Sequence, residues 1–181
     1  MYKEKPLERL SDEERVDLLH FIVCRELHLL HIPIRPALVA VDGMSRYTLA
    51  RIQYVEVGMP NEIQINRQAV YMKHLDLEML SSVLHEVYHL YQIFNVRYME
   101  TLPLGNWYHK EYEKFRRYKW ELDHYQSYEM CGLIRYQAQS LEQDAEKFAK
   151  KRMRYYRRKL GYMVDAYLNR RRTSGERLLY T

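Results

Sequence analysis

Apolar positions along this chain switch between helical and strand periods several times. After Ser11-Asp12-Glu13-Glu14, the residues Val16, Leu18, Leu19, Phe21, Ile22, Leu27, Leu29 and Leu30 follow a helical pattern. Ser11 reads as an N-cap followed by acidic first-turn residues, and Pro33 and Pro36 end the helix near Leu30. Ala37-Leu38-Val39-Ala40-Val41 predicts a buried strand. Tyr47 to Val57, rich in β-branched and aromatic residues, predicts a longer one, with turn chemistry at Asp42-Gly43 between the two. Met59-Pro60-Asn61 then breaks the chain before Glu62-Ile63-Gln64-Ile65-Asn66, a short alternating strand. The run from Leu75 reads as a helix. Met79, Leu80, Val83, Leu84, Val87, Leu90 and Ile93 recur at spacings of three and four, and Asp76 and Glu78 suit the positive end of the helix dipole. Thr101 to Asn106 reads as a loop, Trp107 to about Glu129 as a densely charged helical stretch, and Gly132 as a break. Leu141, Ala145, Phe148 and Ala149 form the stripe of a further helix.

The chemistry sits on the helix that contains His85-Glu86-Val87-Tyr88-His89. Histidines at i and i+4 lie one turn apart on one face, so both imidazoles can reach a single metal ion. Glu86 is placed to act as general base toward a water polarised by that metal. Catalytic zinc usually takes three protein ligands and keeps a fourth position open. The best third ligand is Glu142, beside the apolar stripe of the later helix, and Glu146, one turn on, is placed to orient a ligand histidine from behind.

His85-Glu86-x-x-His89 followed by Glu142-x-x-Ala145-Glu146-x-Phe148-Ala149 resembles the gluzincin metallopeptidases. The similarity is greatest to the small single-domain minigluzincins and ImmA/IrrE-like proteases, and it covers roughly residues 35 to 150. It implies an α+β zincin-like fold, with a small antiparallel or mixed sheet, an active-site helix and a helical C-terminal half. It also implies a zinc ion held by His85, His89 and Glu142, and peptide-bond hydrolysis with Glu86 as base. In such proteases a residue four positions after the glutamate is often Asp or Asn; Glu146 departs from that pattern. A Tyr or His often assists, and Tyr136 and His124 are the candidates here. The resemblance also implies that Glu62–Asn66 is an edge strand above the metal, pairing with an extended substrate.

Composition fits one domain over residues 1–181. Nearly half the residues are apolar, yet no run is long enough to span a membrane. Met1 to Lys5 is charged and lacks a signal-peptide core, and Cys24 and Cys131 read as packing residues in a reducing cytoplasm. The 18 tyrosines, many beside Lys or Arg, read as snorkelling side chains rather than base-stacking platforms. A basic helical segment at about 150–172 dominates the charge. Lys147 to Arg172 holds eleven Lys or Arg against Asp165 alone, about +10, which leaves the rest of a +5 chain near −5.

Two other readings compete with the gluzincin one. A SprT-like, DNA-associated protease would take His109 as third ligand and use the basic segment on DNA; nucleic acid is the less favoured partner, because no binding motif accompanies the charge. A catalytically silent binding module would have no need of Glu86. The expected partner is a protein or peptide substrate. The sequence leaves open its identity, the oligomeric state, and whether Thr173 to Thr181 covers the cleft.

Overall fold

The computed structural model describes residues 6–53, 59–72 and 76–178. A 3-10 turn at Pro6–Arg9 leads into α1 (Asp12–Leu29), then β1 (Ala37–Val41), β2 (Ala50–Ile52), β3 (Glu62–Asn66) and α2 (Arg67–Tyr71). The helical remainder is α3 (Asp76–Glu100), α4 (Leu104–Trp107), a 3-10 turn at Lys110–Tyr112, α5 (Glu113–Asp123), α6 (Tyr128–Ala138) and α7 (Ser140–Leu178). The fold is α+β, with a small mixed sheet and a helical C-terminal half.

Local chemistry accounts for the helix ends. Ser11 and Glu14 form a reciprocal capping box at the start of α1. At its other end His31 adopts φ 59°, and the Ile32 N–H reaches back to the Leu27 carbonyl. The helix therefore closes in a left-handed cap before Pro33 is reached. The buried face of α3 follows the expected stripe from Met79 through Ile93. Leu75 and residues 54–57 of the expected second strand lie outside the described residues.

The sheet order is β1-β3-β2, with β1 parallel to β3 and β2 antiparallel to it. Ile63 and Ile65 point into the core, while Gln64 stays on the other face and bonds Arg51. The expectation that Glu62–Asn66 is the edge strand is corrected: β3 is central, and the edge strand nearest α3 is β2. Alternation reports which face of a strand is buried, not how many neighbours it has. The second strand also starts later than Tyr47, at Ala50, because Ser45 and Thr48 close a turn before it.

Helix α3 packs against the sheet, α1, α5 and α7. One main core joins α1, the sheet, α3 and α7, and a smaller one gathers Val96, Tyr118 and Leu141. The stretch from Trp107 to Glu129 is several short pieces rather than one helix, and α4 occupies part of the expected loop. Gly132 breaks α6 as expected, at φ 74° and ψ 166°. The basic segment is no separate element: α7 is continuous for 39 residues, from the candidate third ligand through the basic run. Among the described residues, no helix is long and apolar enough to cross a membrane.

Candidate metal centre

The apolar stripe of α3 fixes its rotation in the core and leaves His85, Glu86 and His89 along the seam with α7 and the sheet. Helix α7 meets that seam with its first turn. Glu121 of α5 accepts from the N–H groups of Ser140 (2.9 Å) and Leu141 (2.8 Å) and from the Ser140 hydroxyl (2.6 Å). This carboxylate satisfies the free donors at the helix start and sets its position. Glu142, two residues on, points inward with only 4% of its side chain exposed.

The three candidate ligands converge. His85 Nε2 lies 3.1 Å from Glu142 Oε2, His89 Nε2 lies 3.6 Å from Glu142 Oε1, and the two Nε2 atoms are 2.9 Å apart. All three donor groups lie within 4.8 Å of one another, so they could hold a metal ion. Gln92 was not anticipated. It is fully buried, its Oε1 is 2.7 Å from His89 Nδ1, and its Nε2 donates to the Leu141 carbonyl at 3.0 Å. The second bond fixes the amide orientation, so Nδ1 of His89 carries the hydrogen and Nε2 faces the site as the ligating atom. One buried amide thus ties a histidine of α3 to the residue before Glu142. The signal was a polar residue at i+3 from His89, inside an apolar helix.

Charges in this group are strongly coupled. Burial alone would lower the His89 pKa, but the Glu142 carboxylate, 3.6 Å from Nε2, and the nearby Glu86 charge raise it to about 9. Burial would raise the Glu142 pKa, yet the hydrogen bond with His85 and the nearby His89 imidazole hold it well below the carboxylate range. Glu86 goes the other way: burial lifts its pKa, and the two histidines only partly oppose this. The Ile52 N–H of β2 donates to Glu86 Oε2 at 3.0 Å and fixes its direction.

A cleft of about 430 Å³ opens beside these groups, walled by Ala50 and Ile52 of β2, by Glu86 and His89, and by Tyr125 and Tyr136. The Tyr125 hydroxyl donates to Glu142 Oε1 at 3.1 Å, and Tyr136 lines the same cleft beside that carboxylate. Burial pushes both phenols above the usual tyrosine range. Tyr136 is therefore at the site, and Tyr125 joins it; nothing in the sequence distinguished Tyr125 from the other tyrosines. Glu146 Oε2 is 3.9 Å from His85 Nδ1, beyond a direct hydrogen bond, and pairs with Lys150 at 2.9 Å.

Two candidates lie elsewhere. His124 ends α5 on the surface, where its Nδ1 hydrogen-bonds the Trp120 carbonyl (2.8 Å) and its ring stacks on Trp120. Its local partners hold it there, and it is not among the residues that line the cleft. His109 is exposed at the 3-10 turn, 3.7 Å from Glu111, and is not in the ligand group. Cys24 and Cys131 are free and partly buried. No protein-family model matches the chain, and comparison with curated proteins and with solved structures gives no match.

Proposed function

We propose that this chain is a zinc-dependent metallopeptidase that hydrolyses peptide bonds of a protein substrate. One observation carries the reading: His85, His89 and Glu142 converge beside a half-buried Glu86 at the wall of one cleft. The donors fit zinc. A tetrahedral ion with bonds of about 2.0–2.1 Å separates neighbouring ligand atoms by roughly 3.3 Å. The spacings here, 2.9, 3.1 and 3.6 Å, bracket that value. Two imidazoles and one carboxylate also form a donor set of hydrolytic zinc sites, with a further position left for water or substrate.

Bound there, zinc would supply Lewis acidity, making a water more acidic and polarising a carbonyl. The chain's own groups account for the rest. Glu86, its basicity raised by burial and its direction set by Ile52, takes a proton from the attacking water and passes it to the leaving amine. Tyr125 and Tyr136 keep their protons at neutral pH and line the cleft; on turning from Glu142 to substrate, their hydroxyls are donors for the oxyanion that develops there. Helix α5, through Glu121, and Gln92 hold the ligands in place before substrate arrives.

The test measures zinc content and hydrolysis of a denatured protein mixture on the same samples. Wild type should hold about one zinc per chain, since the described ligands make one site. Glu86→Gln should keep the metal and lose about 10²- to 10⁴-fold in rate. A zinc-loaded wild type that cleaves nothing, or a fully active Glu86→Gln, overturns the reading.

A further inference from the structure

Helix α7 leaves the ligand group running antiparallel to α3. Glu142 faces His85 and His89, and Glu146 lies beside His85. Lys150, Arg154 and Arg157 continue that face, opposite Ser81 and Glu78 of α3. Steps of four, four, four and three residues keep all five on one side of the helix. Between the two helices runs a groove of about 440 Å³, with the buried Met153 in its floor.

The groove is cationic beyond its first turn. Lys150 is engaged by Glu146 at 2.9 Å. Arg154 and Arg157 are exposed, and neither lies within ion-pair distance of an acidic side chain among the described residues, Glu78 included. Two guanidiniums held on a rigid helix are ready to pair with carboxylates. Length sets where those carboxylates must be. At 1.5 Å per helical residue, Lys150 lies about 12 Å and Arg157 about 22 Å along α7 from Glu142. An extended peptide, at about 3.3 Å per residue, covers that distance in roughly four to seven residues.

We propose that this seam binds an acidic segment of the substrate, so that the enzyme selects proteins with Asp or Glu about four to seven residues to one side of the scissile bond. The selectivity rests on the peptidase reading above; the binding does not. An acidic peptide fits better than nucleic acid. Among the described residues the groove walls include no aromatic ring for base stacking, and Tyr155 and Tyr162 line a different groove against α1. Glu78 and Glu146 also face the seam; they repel an unbroken phosphate backbone but leave room for a peptide whose charges alternate with neutral residues.

The experiment uses the full chain, loaded with zinc. Fluorogenic peptides share one neutral cleavage sequence: one is neutral throughout, and two acidic versions carry four glutamates on one side or the other, starting four residues out. One acidic version should show a kcat/KM about five- to tenfold higher than the neutral peptide at low salt, as expected for two or three partly exposed ion pairs, and the advantage should shrink at high salt. Arg154→Glu with Arg157→Glu should erase that advantage and leave the neutral peptide unchanged. Arg158→Glu with Lys159→Glu alters total charge equally and should leave the preference in place. Equal cleavage of all the peptides by wild type overturns the seam while the peptidase stands. If no peptide is cleaved, anisotropy of the labelled acidic peptides decides: binding lost with Arg154→Glu and Arg157→Glu supports the seam, and absence of binding overturns it. Tighter binding of a single-stranded oligonucleotide of equal charge through the same two arginines would also overturn it, by making nucleic acid the partner.

Discussion

A histidine ligates a metal only through a nitrogen that carries no proton, and the surroundings of His89 bear directly on that. Gln92 holds the hydrogen on Nδ1, while Glu142 and Glu86 stabilise a second proton on Nε2 when no metal is present. The consequence is opposite for the two states of the protein. The folded pKa of His89, about 9, stands above its ordinary value of 6.5. Its contribution to metal-free stability is therefore complete below about 6.5 and is lost as pH rises through about 9. On the proposed function, zinc displaces that proton on binding, so the stabilisation given by zinc should grow over the same interval. Melting temperatures of chelator-treated and zinc-loaded protein between pH 6 and 9.5 check this; a zinc-induced shift that shrinks with rising pH would contradict it. Much of this chemistry was legible residue by residue. The i, i+4 histidines and the adjacent Glu86 follow from helical geometry alone, whereas Glu142 beside its apolar stripe stands out only through the gluzincin resemblance. Gln92 was visible at i+3 but silent, because a lone amide in a helix says nothing until its partners are known. Tyr125 and Tyr136 are separated from His124 only by which way the chain turns after α5.

At the scale of elements, helices were easier to read than their neighbours in space. A long apolar stripe specifies a helix and its buried face, as α3 shows. A five-residue strand specifies a face but not a place in the sheet, and so β3 proved central and β2 the strand beside the cleft. The pairing of β2 with β3 uses the backbone of Leu49, Arg51 and Gln53, which turns the Ile52 N–H outward to Glu86. The break at Gly132 is equally specific. Its φ of 74° with ψ of 166° lies in a region open essentially to glycine alone, and a side chain there costs on the order of 1–3 kcal/mol. No heavy atom lies within 4 Å of where a Cβ would be, so backbone strain alone sets the cost. Tyr136 follows four residues later and depends on the direction this break gives α6. Gly132→Ala should therefore move Tyr136 from Glu142, lowering kcat while zinc content stays at the wild-type level. Unchanged turnover in a variant shown by hydrogen exchange to keep α6 would separate Tyr136 from catalysis.

Across the whole molecule, α7 joins features that looked separate in the sequence. Its first turn carries Glu142, its next turns carry the cationic seam, and its middle is anchored to α1. The +10 charge of residues 147–172 was plain from composition, but composition has no direction, so a basic tail and the helix of the candidate third ligand could not be recognised as one rod. The anchor explains why the rod does not detach under its own charge. Glu26 of α1, 1% exposed, accepts from Arg152 Nη2 at 2.6 Å and from the buried Tyr156 hydroxyl, and Arg25 closes the group from α1. Arg25 also reaches Tyr155 and Tyr156, so charge repulsion between the two arginines is offset by one shared carboxylate and two phenols. Removing that carboxylate leaves two cations facing each other against a hydrophobic core. Both arginines keep one side open to water, with side-chain exposures of 30% and 22%, so the loss belongs at the low end for a broken buried pair, about 3 kcal/mol. Glu26→Ala should lower the urea midpoint accordingly, and Glu26→Gln, which still accepts from Tyr156, should fall between it and wild type. Because α1, the sheet, α3 and α7 share one core, the loss should appear as a shift of a single cooperative transition. A second, earlier transition confined to helical signal would mean that α7 unfolds on its own and that the anchor is local. A midpoint unchanged in Glu26→Ala would mean that apolar packing alone, around Met153, Leu160 and Val164, holds the rod to the core.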